Sequence, residues 1–190
     1  MDMAGIEEGM SKEVADMRIV KVLILSVAVS ASGASASKPA KPPFEGLWMS
    51  CERWQGSSIC AYKALAQQGT RVCGVQSDFA TNRYYVQRFV GTARGNVVEI
   101  DRICGDPGSE TDTYCAGQAP ADAAKVGWGA SDRQLSLCEG RLQAGKKGEA
   151  AHCTPASARA AMPKTSGRDG EGPEAEDRAW MASCAQGDDG

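Results

Sequence analysis

Three stretches of the chain carry residue types able to do chemistry. GRLQAGKK, residues 140 to 147, has the G-x-x-x-x-G-K spacing of a loop that cradles phosphate with backbone amides and a lysine. Lys147 stands where such a loop needs a Ser or Thr hydroxyl for magnesium, and GEAAHCTP is a poor helix to follow it, so a strand end and a solvated basic turn are expected. His152 and Cys153 adjoin, and a thiolate beside an imidazole is a potential nucleophile. Adjacent residues rarely turn their side chains toward each other, so Cys153 reads instead as the disulfide partner of Cys184 or of a core cysteine. Glu99 and Asp101 lie two apart on one strand face. A glycosidase pair has to flank a cleft at about 5–10 Å, and Arg88 opposite Asp101 favours an outward charged face. The chain has no G-x-S-x-G, no H-E-x-x-H and no second histidine, so a hydrolase triad or zincin site has no material.

Groups suited to contact are more plentiful. Arg53, Trp54, Tyr62, Lys63, Arg71, Arg83, Tyr84, Arg88 and Arg94 mix basic and aromatic character. An OB-like sheet that binds an oligosaccharide or a nucleic-acid single strand has this composition, but so has an ordinary charged barrel exterior, which is the expectation here. The longest connection, GDPGSETDTYCAGQAPADAAKVGWG (105 to 129), carries Tyr114 and Trp128, and Cys104 with Cys115 could staple its base. Tyr114, Trp128, Trp54 and Tyr84 are therefore the candidate partner-binding residues. The alternative for Trp128 is that it opens another strand and packs.

The compartment follows from residues 17 to 43, MRIVKVLILSVAVSASGASASKPAKPP. Arg18 and Lys21, the apolar run VLILSVAV and Ala34-Ser35-Ala36 are the three parts of a secretory signal peptide. The apolar run falls short of the roughly 20 residues that cross a bilayer, so no membrane anchor is expected after cleavage. Residues 1 to 16 carry five acids and one lysine, the opposite of an export leader, which places the expected start of synthesis at Met17. Cleavage after Ala36 removes three basic and five acidic residues, leaving 18 against 19 and a net charge of −1. Such a surface offers nothing to a nucleic acid. All eight cysteines (51, 60, 73, 104, 115, 138, 153 and 184) fall in the mature part, an even count that reads as four disulfides in a secreted or periplasmic protein. With no C-x-x-C and a single histidine, neither a metal nor a cofactor is expected.

These residues need a scaffold. Residues 1 to 36 read as signal peptide, 37 to 43 as a proline-rich spacer, 44 to 143 as a β domain, and 144 to 190 as a low-complexity, largely disordered tail whose acids could fold back on the basic sheet. Within the domain the apolar period is two: ICAYKALAQ, RVCGVQSDF, RYYVQRFVG, NVVEIDRIC and RQLSLCEGRL are β-type runs between turn residues. The fold class is mostly β, a single small antiparallel meander or barrel stapled by disulfides. A turn at Arg94-Gly95 sets Phe89 opposite Ile100 and Arg88 opposite Asp101, whereas Gly95-Asn96 would set Phe89 opposite Arg102. A turn at Gln68-Gly69 sets Ala64 opposite Cys73 and leaves Cys60 about 13 Å along the strand, too far for a bond to Cys73. Cys51 with Cys138 is attractive if the sheet closes, although six core cysteines admit 15 pairings.

FEGLWMSC (44 to 51) places Gly46-x-Trp48 on the first strand, and repeated strand, Q-G or R-G turn, strand units follow. The pattern resembles lipocalin-like and avidin-like small exported barrels, whose first strand carries G-x-W. That resemblance implies that Trp48 plugs the closed end of the barrel and that Arg141 is its cation–π partner. The cysteine density and short core depart from both families. The functional expectation is a monomeric, exported, disulfide-rich protein acting by binding, either to a small apolar ligand or to a secreted protein as its inhibitor. A secreted hydrolase-type enzyme and a structural envelope protein are the alternatives.

Overall fold

The computed structural model describes residues 41–80, 83–106, 113–149, 153–167 and 172–188. The signal segment, most of the spacer and His152 lie outside the described residues. In chain order the elements are β1 (Gly46–Trp54), β2 (Ser57–Gln68), β3 (Arg71–Ala80), β4 (Arg83–Arg94), β5 (Val97–Gly105), β6 (Gly129–Ala130), β7 (Arg133–Cys138), β8 (Arg141–Lys146), α1 (Pro155–Ala160), β9 (Met162–Thr165) and α2 (Ala175–Ala185). Each long strand pairs antiparallel with the next, β5 pairs with both β4 and β7, and β9 returns to β1. The result is a closed, eight-stranded, up-and-down antiparallel barrel with β6 laid against β5.

The turns differ from the sequence reading by one residue. The β2–β3 turn is Gly69-Thr70 and the β4–β5 turn is Gly95-Asn96, with Gly69 at φ 58° and Gly95 at φ 61°. Glycine thus takes the first turn position, as in a II′ hairpin, instead of the second. Ala64 consequently faces Val75, and Cys73 faces Ala66. The feared mismatch of Phe89 with Arg102 does not arise, because a bulge at Val90/Gly91 leaves Asp101 as the extra residue and sets Phe89 opposite Ile103 and Arg88 opposite Cys104. A Cβ on Gly91 would collide with the Glu99 carbonyl, so the close approach at the bulge requires glycine. Asp101 accepts from Thr92 Oγ1 at 2.8 Å and sits 3.8 Å from Lys147 Nζ, instead of pairing with Arg88.

Inside the barrel the end holding the Gly69 and Gly95 turns is filled by Phe44, Trp48, Leu65, Phe89, Leu135 and Leu142. Trp48 is buried as the resemblance implied, and its Nε1 donates to the Phe44 carbonyl at 3.2 Å. The cation over its ring is Lys164, 5.0 Å from the centroid, and not Arg141, whose Nε donates to the Ala161 carbonyl.

All eight cysteines are paired: Cys51–Cys60, Cys73–Cys184, Cys104–Cys115 and Cys138–Cys153. The staple at the base of the long loop forms as expected, and Cys153 takes a core cysteine. Cys51 does not reach Cys138, because its cross-strand neighbour on β2 is Cys60. The tail is also more ordered than its composition suggested, since α1, β9 and α2 all lie in it. Met181 of α2 packs on Ala64 and Val75, Cys184 is tied to Cys73, and Arg88 of β4 donates to Asp177 at 2.7 Å and Glu176 at 3.0 Å. The acidic tail does fold back on a basic residue of the sheet.

Candidate functional site

The barrel interior changes character along its axis. Register aligns Lys63, Gln76, Gln87 and Gly105 on β2 to β5 as one inward row, one step toward the mouth from Leu65, Gly74, Phe89 and Ile103. Lys63 Nζ donates to Gln76 Oε1 at 2.9 Å, and Gln76 Nε2 donates to Gln87 Oε1 at 2.6 Å. All three side chains are buried, and a Cβ on Gly105 would strike Gln87, so the glycine leaves room for the amide. Asp78, one step farther out, lies 3.7 Å from Lys63 Nζ. Burial pushes the Lys63 ammonium below its ordinary pKa; Asp78 opposes that shift and the neighbouring Arg133 guanidinium reinforces it. Burial likewise lowers Arg133.

Two cavities open from this polar half, one on each side of the C-terminal end of α1, and Ala160 and Met162 line both. One, of about 320 Å³, reaches Lys63 past Leu142 and Ala144. The other, of about 260 Å³, is framed by Ser50 and Glu52 of β1, Ile59 and Ala61 of β2, and Asp78 with Phe79 of β3. They exist because β9 is short: it pairs with β1 only at Leu47 and Trp48, and with β8 only at Arg141 and Leu142. Pro163 has no N–H to extend the ladder. Beyond those pairs α1, which Thr154 caps through Ser157, packs against β8 and leaves the outer half of β1 unpaired on that side among the described residues.

Two hairpins rise around this mouth. The β1–β2 tip turns at Gln55-Gly56, both at positive φ, and is cross-linked by Cys51–Cys60. Trp54 ends that strand, 52 % exposed. On the β3–β4 hairpin Tyr84 is 46 % exposed and packs against Phe79 with ring centroids 5.0 Å apart and the planes tilted by 59°, while Arg83 covers the Tyr85 ring. The sequence-derived candidates Trp54 and Tyr84 are therefore both at the mouth. Trp128 is not: it packs outside the barrel against Trp180, under the Arg102 guanidinium, just before β6. Tyr114 is half-buried beside Cys115, and its backbone bridges to Lys125 and Gly127 within the long loop. Gln76, Gln87, Asp78 and Arg133 were not singled out by sequence reasoning, and Lys63, named there among the basic and aromatic groups of a charged exterior, lies buried inside the barrel instead. The signal that could have found them is parity, since Lys63 and Leu65, or Gln87 and Phe89, must face the same way on a strand.

The GRLQAGKK segment forms the β7–β8 turn, strand β8 and the following turn, and Lys147 Nζ donates to the Ser131 carbonyl. No three His, Cys, Asp or Glu side chains converge as a metal site among the described residues. Comparison with protein-family models, curated proteins and solved structures finds no match to this chain.

Proposed function

We propose that this chain is an exported binding protein, a lipocalin-like or avidin-like barrel in architecture, that recognises another secreted protein with its mouth. Four disulfides suit an oxidising compartment, where thiols are not kept reduced. The observation that carries the reading is the contrast between the two barrel ends. The apolar end is filled with its own side chains, whereas Trp54 and Tyr84 stand exposed on two hairpins, one of them disulfide-braced. Aromatic anchors held stiffly above a surface are the usual centres of binding energy at protein interfaces, and pre-ordering them reduces the entropy lost on association.

The test is a photo-crosslinking residue placed at Trp54 in cells that export the protein, with Glu139 in the opposite β7–β8 turn as control. A discrete adduct from position 54, none from 139, and its loss in Tyr84→Ala are expected. Adducts equally abundant from both positions would refute the reading. A second reading rests on buried Lys63 beside the 320 Å³ cavity, a volume at the lower limit for small-molecule sites, which favours a compact polar ligand over an apolar one. Native mass spectrometry would show a bound small molecule that Lys63→Met loses.

A further inference from the structure

β1 has a free edge. Its pairing with β9 ends at Trp48, and from Met49 to Trp54 no strand lies on that side among the described residues. Two observations show which backbone groups face outward. A two-residue turn at Gln55-Gly56 closes on a hydrogen-bonded pair, Trp54 with Ser57, so alternation makes Arg53–Ser58 and Cys51–Cys60 non-hydrogen-bonded. The Cα separation of Cys51 and Cys60, 4.0 Å, is the short spacing of that pair type. The N–H and C=O groups of Cys51 and Arg53 therefore point away from β2, along an edge that is exposed from Ser50 onward.

Unpaired edges invite another strand, and proteins usually block them with bulges, prolines or covering elements. Here the regular register continues to the hairpin tip and a disulfide holds it straight. Beneath the edge lies the 260 Å³ cavity, too small for most ligands but suited to one long side chain. Ile59, Ala61 and Met162 supply an apolar channel, and Glu52 and Asp78 supply acceptors. Asp78 already meets Lys63, while no salt bridge joins Glu52 to a described cation.

Resting on the reading that the mouth recognises a protein, and specifying how, we propose that an extended segment of the partner adds as a strand along β1 and sets a lysine or arginine into the pocket between Glu52 and Asp78. Main-chain bonds to Cys51 and Arg53 supply affinity, and the pocket selects the side chain, since alternate residues of an added strand point inward. The aliphatic stem lies on Ile59 and Met162 while the charged head reaches the carboxylates.

Fluorescence anisotropy with a labelled peptide of alternating Thr and Val around one central Lys, against a matched peptide with central Glu, tests this on the full chain. The Lys peptide is expected to bind about tenfold or more tightly than the Glu peptide, and Glu52→Gln with Asp78→Asn to reduce that preference to about twofold. Arg53→Pro, which removes an outward N–H without touching the β2 ladder, is expected to abolish binding of both peptides. In the unaltered protein, saturating Lys peptide should slow amide exchange at Cys51 and Arg53, a readout that does not depend on the proline variant folding. Equal affinity for the two peptides, unchanged exchange at both amides, or full binding by a folded Arg53→Pro protein would each overturn the inference. If the peptides fail while the Trp54 adduct persists, strand addition falls and protein recognition stands; loss of both removes both.

Discussion

Removing the Cys73–Cys184 bond should be the most damaging of the four possible disulfide deletions. The bond closes a chain separation of 111 residues, against 9 for Cys51–Cys60. Loop-closure entropy gives about 4.8 kcal/mol for the long loop and about 2.6 kcal/mol for the short one at 25 °C, a difference of about 2.2 kcal/mol that no longer contains the constant of the expression. Packing acts in the same direction, because Cys73 and Cys184 are fully buried among Val90, Trp128 and Trp180 whereas Cys51 is exposed on the hairpin. The assay is urea unfolding of Cys73→Ala/Cys184→Ala and of Cys51→Ala/Cys60→Ala, with peptide mapping to confirm that the remaining six cysteines pair as in the parent. The long-loop variant is expected to lose at least about 2 kcal/mol more than the short-loop one. If the hairpin deletion proves the costlier, α2 is not held to the barrel as described, and the account of the ordered C-terminal segment fails with it.

Gly74→Ala should destabilise by about 1–3 kcal/mol in the same urea assay, since the added methyl falls on the Phe89 ring and Leu65 Cδ2 at the filled end of the barrel. Lys63 titrates below its ordinary 10.5 in the folded state, so between the two values the unfolded chain holds the extra proton and stability rises with pH. The parent should therefore gain stability relative to Lys63→Met as the pH is raised toward 10.5, measured by denaturant midpoints across a pH series. Tyr62 acts in the opposite sense: burial, then Asp177 and Glu174, push its phenol up to about 12 from 10.0, so its contribution is present below pH 10 and lost as the pH climbs through 12. Tyr62→Phe should remove that alkaline loss.

The strand-rich class, the hairpin rhythm and the burial of Trp48 were all legible in the sequence, because period-two patterning and G-x-W are local signals. Disulfide count was legible and connectivity was not, since pairing depends on register, and register hung on whether Gly69 and Gly95 take the first or second turn position. A single step moves Cys73 from opposite Ala64 to opposite Ala66. The bulge at Asp101 was hidden for a similar reason: without it Phe89 would face Arg102, and the chain inserts a residue to keep the apolar face intact. The polar mouth escaped notice because Lys63 and Gln87 read as solvent-facing by type and become interior only once the sheet closes. Order in the C-terminal segment was hidden by composition, as α2 is a weak helix by itself and is held by the bond to Cys73 and the contacts of Arg88, Trp180 and Met181.

Three of the four disulfides join cysteines that are consecutive along the chain, and the fourth encloses two of those. As the polypeptide emerges from its N-terminus, Cys73 is followed by Cys104 and Cys115 long before Cys184 exists as a partner. An oxidant that pairs thiols in order of appearance would close 51 with 60 correctly and then join 73 to 104, a mismatch that propagates to every later cysteine. Maturation therefore depends either on the early strands folding fast enough to hide Cys73 until the last helix docks, or on a thiol–disulfide isomerase that undoes the first choice. The docking of α2, in that sense, decides when these four bonds are correctly set.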